Sequence, residues 1–269
     1  MASLLRALVD LRAPAVRVAY GQHTEQVAEL HLPEAGSTPH PVVVALHGGF
    51  WGARYTRRYM RPLCAELARH GWAAWNVEYR RIGRGQGGGW PETFADVAAG
   101  IDALASVDAP LELSRVVALG HSAGGQLALW AATRARLPAR APGANPRVSI
   151  GGVVAVAAAS DLETPASLSA PGGAVHDLMR AAPADAPDDR YALANPIRRL
   201  PLGVPVLLVH GVEDETIPLR RSEDFAAAAR AAGDREIELV ALAGTDHRAV
   251  VDPRRRGRRE VLDWLARQP

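Results

Sequence analysis

Lysine is absent from this 269-residue sequence, and cysteine occurs once. All 31 basic residues are arginine and the formal net charge is +2, so the pI near 9.0 reflects composition rather than a concentrated basic patch. We therefore expect no nucleic-acid partner. The single cysteine, Cys64, excludes an intrachain disulfide, and nothing in the sequence points to an oxidising compartment.

Long apolar segments are also missing. No stretch approaches the ~20 apolar residues that a membrane-spanning helix needs, so we expect no membrane partner. Arg6 and Asp10 interrupt the apolar residues of segment 1–11, which therefore lacks the unbroken apolar stretch of a signal peptide. These observations predict a cytoplasmic protein. No group of cysteine, histidine and acidic residues has the spacing of zinc ligands, and we expect neither a metal nor a cofactor.

The composition suits a folded protein, with 48% hydrophobic residues and a mean hydropathy of −0.05. Short apolar runs alternate with helix-like segments, which predicts one α/β domain over residues 1–269, with a mostly parallel sheet of about eight strands flanked by helices. Strands are predicted at 16–20, 26–32, 41–46, 73–79, 115–119, 152–157, 204–209 and 236–241, the first two as an antiparallel pair. Helices are predicted at 60–70, 94–105, 124–134, 221–232 and 255–267.

Two stretches interrupt this alternation. Residues 80–91 contain five glycines and predict a loop. Residues 161–201 are rich in proline, alanine and aspartate and are too short for a separate domain. Their position predicts a small cap over a site at the sheet edge, with a surface excursion as the alternative.

The strongest chemical signal is GHSAG at residues 120–124, which lies directly between a predicted strand and a predicted helix. In this context the pattern G-x-S-x-G is typical of a nucleophile elbow, a sharp turn that lifts the serine hydroxyl clear of the sheet. We therefore interpret Ser122 as a nucleophile. A serine hydroxyl is a poor nucleophile near neutral pH, so it needs a base to take its proton and donors to hold the oxyanion that forms.

A second motif, HGGFW at residues 47–51, follows the predicted strand 41–46. Its two glycines allow backbone N–H groups to face a substrate oxygen. An oxyanion hole of this kind also uses the N–H of the residue after the nucleophile. We assign the hole to Ala123 together with Gly49 or Phe50.

In the same arrangement a carboxylate and then a histidine follow the serine, each after a later strand. Of the nine histidines only His247 lies in the loop after the last predicted strand, and we interpret it as the general base. The loop after strand 204–209 offers three carboxylates to orient it, Glu213, Asp214 and Glu215. Asp246 is adjacent to His247 and would have difficulty reaching its Nδ1, so we expect a structural role for it.

With these motifs the sequence resembles the α/β-hydrolase superfamily over about residues 16–265. The family pattern around His210 and Pro218 selects Asp214 from the three carboxylates. The motifs HGGFW and GHSAGG look like those of the small carboxylesterase and kynurenine formamidase (arylformamidase) branch. This resemblance implies a serine hydrolase that cleaves a small carboxylic ester through an acyl-enzyme, or alternatively an N-formyl arylamine. Phe50 and Arg248 depart from the formamidase pattern, so the ester is preferred.

Two other functions stay open. Peptidases of the prolyl-oligopeptidase type share the order Ser, Asp, His, but a large N-terminal propeller gates them, and only residues 1–40 precede the first central strand here. A hydrolase-fold binding protein without activity is the non-enzymatic alternative. It is disfavoured because no member of the triad is missing.

Substrate-pocket residues are predicted from the loops and motifs that border the site: Trp51, Trp90 and His121. The alternative for each is packing in the core. Arginines near the same loops could attract a substrate carboxylate or could simply be solvated: Arg54, Arg57, Arg80 and Arg81.

Overall fold

A computed structural model describes residues 15–34, 39–169, 171–252, 254 and 256–268. Segment 1–11, for which the sequence predicts no signal peptide, lies outside the described residues, as does residue 255 at the start of the last predicted helix. No helix in the described ranges is long and apolar enough to cross a membrane.

Within the described residues eight strands form one sheet, in the order β1-β2-β4-β3-β5-β6-β7-β8. Their bounds are Val16–Ala19 (β1), Val27–His31 (β2), His40–Leu46 (β3), Ala73–Val77 (β4), Leu111–His121 (β5), Gly152–Val156 (β6), Val206–Gly211 (β7) and Ile237–Leu242 (β8). β2 is antiparallel to both β1 and β4, and every pairing from β4 to β8 is parallel. Each of the eight predicted strands is therefore present.

The described α-helices are Arg61–Arg69 (α1), Glu92–Asp102 (α2), Ala123–Ala132 (α3), Pro165–Leu168 (α4), Ala174–Met179 (α5), Arg190–Ala194 (α6), Arg220–Ala231 (α7) and Arg256–Ala266 (α8). Short 3₁₀ helices lie at Arg57–Met60, Ala103–Ser106, Arg134–Arg136, Pro171–Gly173, Pro183–Asp185, Pro196–Arg199 and Ala249–Val251. Two predicted helices, 94–105 and 124–134, end early as α-helices because their last turns tighten into 3₁₀ geometry.

The strand β5 is longer than the predicted 115–119 because its pairing with β3 is interrupted. Pro41 pairs with Glu112, whereas Val42 pairs with Val116, so the register shifts between the two β3 residues. The shift lets β5 continue beside β3 on both sides of the irregularity. The local sequence contains no signal for a pairing of this kind.

The core lies on both faces of the sheet. Val42 and Val44 of β3 pack on the side of α2 and α3, while Val43 and Ala45 pack on the side of α1 and α8. Consecutive strand residues point to opposite faces, so a continuous apolar run is what a sheet covered on both faces requires.

Segment 161–201 contains α4, α5 and α6 and lies against α3. Trp130 Nε1 donates to the Leu193 carbonyl at 3.1 Å, and Gln126 Nε2 donates to the Ala194 carbonyl at 2.9 Å. The carboxyl ends of the parallel strands meet at one edge of the sheet, where the loops after β3, β5, β7 and β8 carry the predicted site residues. The fold thus brings together residues that are far apart in sequence.

Candidate active site

Ser122 follows β5 directly and has φ 56° and ψ −118°, a left-handed conformation that non-glycine residues seldom adopt. A Cβ on Gly120 would lie 2.0 Å from the Gly124 carbonyl oxygen, and a Cβ on Gly124 would lie 2.1 Å from the Leu46 carbonyl oxygen. Both contacts are with backbone, so no side chain fits at either position. The Ser122 N–H donates to the Val156 carbonyl at 2.8 Å, which anchors the turn to the neighbouring strand.

His247 and Asp214 are joined directly. The His247 Nδ1–H donates to Asp214 Oδ2 at 2.6 Å, while Asp214 Oδ1 accepts from the N–H groups of Thr216 at 2.9 Å and Ile217 at 2.8 Å. The Asp214 side chain is fully buried, and that of His247 is 13% exposed. This contact fixes the orientation of the imidazole ring, and His247 lines the same cavity as Ser122.

The charge of Asp214 is maintained by its partners. Burial by itself would raise the pKa of Asp214, but hydrogen bonds with His210, His247 and the Ile217 N–H outweigh it and hold that pKa well below its usual range. His210 Nε2 lies 3.2 Å from Asp214 Oδ2, and its Nδ1 lies 2.7 Å from Ser222 Oγ. The carboxylate therefore remains ionised near neutral pH.

The neighbouring acids have other partners. Glu213 is exposed and accepts from the Gly244 N–H at 2.9 Å, and Glu215 is exposed. Asp246 Oδ1 accepts from the backbone N–H groups of Arg248 and Ala249, each at 2.8 Å. Asp214, of the three candidates, is the one that contacts His247.

The loop that carries the predicted oxyanion donors has an unusual backbone. Gly49, Phe50 and Trp51 have φ values of 110°, 55° and 55°, and the Gly52 N–H closes the turn onto the Gly49 carbonyl at 2.9 Å. Left-handed conformations at two non-glycine residues cost free energy, so surrounding contacts must hold them. One such contact is the hydrogen bond from the Ile82 N–H to the Trp51 carbonyl, at 2.9 Å.

A buried histidine–glutamate pair that sequence reasoning missed lies under this loop. His47 Nε2 is 2.8 Å from Glu78 Oε1, and both side chains are fully buried. Glu78 Oε2 accepts from the Arg57 N–H at 3.0 Å, and the Tyr79 ring stacks on His47 with centroids 4.4 Å apart. The pair ties the start of the loop after β3 to the end of β4. No local sequence signal could have indicated it, because 31 residues separate the partners.

Two cavities meet at Ser122. The larger, of about 120 Å³, is mostly apolar, whereas the smaller, of about 80 Å³, contains His247. The larger is lined by Phe50, Trp51, Ser122, Ala123, Ala159, Ala166, Ser167, Ser169, Val175, Thr216, Ile217, Pro218 and Arg221. The smaller is lined by Gly48, Gly49, Phe50, Tyr55, Tyr59, His121, Ser122, Thr216, His247 and Arg248. Residues of segment 161–201 thus form part of the wall of the larger cavity.

Of the predicted pocket residues, Trp51 lines the larger cavity and His121 the smaller one. Trp90 lines neither. Its ring packs edge-on against Phe94 with centroids 5.1 Å apart, because the end of the glycine-rich loop folds back onto α2. The prediction for Trp90 is therefore wrong, and the residue belongs to the core.

His121 contacts both the backbone and the ring of His247. Its Nε2–H donates to the His247 carbonyl at 2.8 Å, and the two ring centroids are 4.7 Å apart. Burial and the neighbouring His247 ring lower the pKa of His121 to about 3. A neutral His121 places no positive charge beside an imidazolium at His247.

Three of the arginines proposed for a substrate carboxylate are already paired with acidic side chains. Arg57 Nε lies 2.9 Å from Glu29, Arg80 binds Asp96 with two hydrogen bonds of 2.7 Å, and Arg81 lies 2.5 Å from Glu25. Arg54 is exposed and lines neither cavity. Arg221, which lines the larger cavity, was not identified from the sequence because it sits inside a predicted helix.

Comparison with solved structures establishes the fold. A truncated carbohydrate esterase from gut microbiota superposes with a TM-score of 0.78 at 17% identity, covering 94% of this chain and 96% of that one. The butyrate-bound esterase Est2 of Thermogutta terrifontis superposes with a TM-score of 0.74 at 20% identity, covering 95% and 93%. The chain therefore has the α/β-hydrolase fold, and the prediction of the fold class is confirmed.

Sequence relatives point the same way. Esterase LipC of Mycobacterium tuberculosis is 28% identical over 245 residues, which cover 86% of this chain and 59% of that protein. The chain spans between half and three fifths of the length of the curated relatives that it matches. The BD-FAE family model matches residues 28–228, which is more than half of the chain and includes Ser122 and Asp214. This chain belongs to the BD-FAE family.

Proposed function

We propose that this chain is a serine hydrolase that cleaves small carboxylic esters, with Ser122 as nucleophile, His247 as general base and Asp214 as the carboxylate that orients the histidine. The observation that carries the proposal is the 2.6 Å contact between His247 and the buried Asp214 beside the strained Ser122. The esterase names of the relatives support the same reaction.

In the proposed reaction His247 Nε2 accepts the Ser122 proton as Oγ attacks the ester carbonyl, and the imidazolium is stabilised by the ionised Asp214. The Ala123 N–H and an N–H of Gly49 or Phe50 hold the oxyanion. One such donor typically contributes about 3 kcal/mol of transition-state stabilisation. His247 then returns the proton to the alcohol, and water repeats the cycle on the acyl-enzyme.

The position of His247 determines which cavity holds the alcohol of the ester and which holds the acyl group. The leaving oxygen must receive its proton from His247, so the alcohol belongs in the smaller cavity, which His247 lines. The acyl group then lies in the larger cavity, of about 120 Å³. Because a cavity of about 150 Å³ accepts a benzene molecule, this one suits an acyl chain of only a few carbons.

The proposal also covers the surroundings of the site. Segment 161–201 acts as a small cap within a single domain, supported by the place of Ala166 and Val175 in the wall of the larger cavity. A cytoplasmic location is proposed from the lone, buried Cys64. The proposed binding partner is a small ester, and we propose neither a nucleic-acid nor a membrane partner.

Turnover of p-nitrophenyl acetate, butyrate and octanoate beside N-formylkynurenine tests the proposal, with Ser122→Ala as the blank. We expect hydrolysis of the two short esters, little of the octanoate, and none by the variant. Preferential cleavage of N-formylkynurenine would make the protein an arylformamidase instead. No turnover of any of the four by the folded protein would contradict the proposal.

A further inference from the structure

Arg221 lies in the wall of the larger cavity, in the first turn of α7. The residue is half-buried, and its backbone is fixed at both ends. Its N–H donates to the Pro218 carbonyl at 2.9 Å, and its carbonyl accepts from Ser160 Oγ at 3.3 Å. The position of this residue relative to the cavity is therefore set by the fold.

The guanidinium of Arg221 has no protein partner among the described residues: it makes neither an ion pair nor a side-chain hydrogen bond with them. The adjacent Arg220 is different, because its Nε lies 2.7 Å from Asp224 and its side chain is 77% exposed. Withdrawing an arginine from water without a counter-ion is unfavourable. An unpaired, half-buried guanidinium beside a largely apolar cavity is thus a site for an anion.

We propose that Arg221 binds a carboxylate at the far end of the acyl group, so that the preferred substrates are half-esters of short dicarboxylic acids. This inference rests on the proposed function, which places the acyl group in the larger cavity. Water and the half-ester give the free dicarboxylate, the alcohol and one proton. The bond between the acyl carbon and the alkoxy oxygen breaks, and a bond from that carbon to the oxygen of water forms.

The size of the cavity limits the acid. A volume of about 120 Å³ is below the roughly 150 Å³ that holds benzene, which fits a four-carbon diacid such as succinate. The planar guanidinium presents paired N–H donors that match the two oxygens of a carboxylate. The apolar side chains of Ile217 and Val175 would contact the methylene groups between the two ends.

The test compares three esters of the same alcohol: monoethyl succinate, ethyl succinamate and ethyl butyrate. Ethyl succinamate replaces the carboxylate with a neutral amide of nearly the same shape. The rate of each hydrolysis is followed by acid release at constant pH near neutrality. The variants are Arg221→Met, which removes the charge and keeps an unbranched stem, Arg221→Lys, which keeps the charge, and Arg220→Met as the matched control.

We expect kcat/KM for monoethyl succinate to exceed that for ethyl succinamate by about 10- to 100-fold, the range expected of a charge-assisted hydrogen bond. Arg221→Met should bring this ratio close to one, Arg221→Lys should keep a severalfold preference, and Arg220→Met should keep the full ratio. A ratio near one in the unmodified protein, or a ratio that survives in Arg221→Met, would overturn the inference.

Failure of the proposed function is recognised separately, because then the unmodified protein hydrolyses none of the three esters. In that case binding of monoethyl succinate to Ser122→Ala is measured by ligand-observed NMR. Binding that disappears in Ser122→Ala/Arg221→Met but persists in Ser122→Ala/Arg220→Met supports the carboxylate site. Absent binding, or binding that does not depend on Arg221, overturns it.

Discussion

Neutralising Glu78 within its buried pair with His47 is expected to destabilise the fold, and Glu78→Gln removes the charge of the side chain without changing its shape. The Glu78 carboxylate accepts from His47 Nε2 at 2.8 Å and from the Arg57 N–H at 3.0 Å. A glutamine has one acceptor oxygen, so its NH₂ group must face one of these two donors. The NH₂ group either leaves the Arg57 N–H without an acceptor or faces His47, whose Nε2 must then accept a hydrogen bond instead of donating one. In either orientation both hydrogen bonds to a charged carboxylate are lost.

The cost follows from these contacts. A hydrogen bond to a charged group contributes about 1.5–3 kcal/mol, and an unsatisfied buried donor adds a further penalty. We expect a loss of about 3 kcal/mol in the free energy of unfolding, within the range for the disruption of a buried pair. With an unfolding entropy of about 2.1 cal/mol/K per residue over 269 residues, this corresponds to a Tm about 5 °C lower.

The pH dependence of this loss has a defined sign. Burial would raise the pKa of Glu78, but the hydrogen bond and charge of His47 and the N–H of Arg57 outweigh it and lower that pKa below the ordinary value of 4.5. Below pH 4.5 the unfolded chain thus binds more protons at this residue than the folded protein does. The contribution of Glu78 is complete above that pH and is lost as the pH falls towards the folded-state pKa, so the difference between protein and variant must narrow there.

Urea unfolding followed by circular dichroism at pH 7 and at several values below pH 4.5 measures both effects. Glu223→Gln is the matched control, because Glu223 is exposed on α7 and its neutralisation should change stability by no more than about 0.5 kcal/mol. The reasoning is refuted if Glu78→Gln unfolds at pH 7 with the same free energy as the unmodified protein. It is also refuted if the difference between them grows as the pH falls.

Three further predictions concern the site and the core. Asp214→Asn should lower kcat for p-nitrophenyl butyrate by about 10⁴-fold with a much smaller change in KM, because the amide no longer favours the required imidazole tautomer. A decrease in kcat of less than tenfold would contradict this prediction. Gly124→Ala should prevent stable folding, because the added Cβ would lie 2.1 Å from the Leu46 carbonyl oxygen. In the control Gly151→Ala the nearest atom to the added Cβ is 3.7 Å away, so in a thermal melt this variant should unfold within a few degrees of the unmodified protein. Burial raises the pKa of the Cys64 thiol, so a disulfide reagent at pH 8 should leave this thiol unmodified in the folded protein and modify it in urea. Rapid reaction without urea would contradict this prediction, because it would show that the thiol is accessible.

The local sequence pattern was sufficient to predict the part of the site that a single turn of the backbone forms. The elbow at Ser122 could be predicted because the G-x-S-x-G spacing, the strand before it and the helix after it are all local features. Asp214 and His247 could be predicted because the fold class fixes which strand ends carry the acid and the base. Their roles in catalysis stay predictions until activity is measured.

Long-range pairing explains what the sequence did not reveal. Whether an arginine is available to a substrate depends on which acid lies beside it, and 56 residues separate Arg81 from its partner Glu25. Arg221 could not be distinguished from Arg220 by sequence, since both begin the same helix and only tertiary packing places one of them at the cavity. Trp90 was misassigned for the same reason, because its contact with Phe94 depends on how the preceding loop folds back.

The most direct test of the central claim is covalent labelling by a fluorophosphonate, followed by peptide mass spectrometry to locate the adduct. The oxygen of an activated serine displaces fluoride from the phosphorus of this reagent and forms a stable phosphonate ester, whereas ordinary serines do not react. We predict one adduct, on Ser122, between pH 6 and 9, and a strong reduction of labelling in His247→Ala. A folded protein that is never labelled in this range, or that is labelled on another serine, would contradict the assignment of Ser122 as the nucleophile.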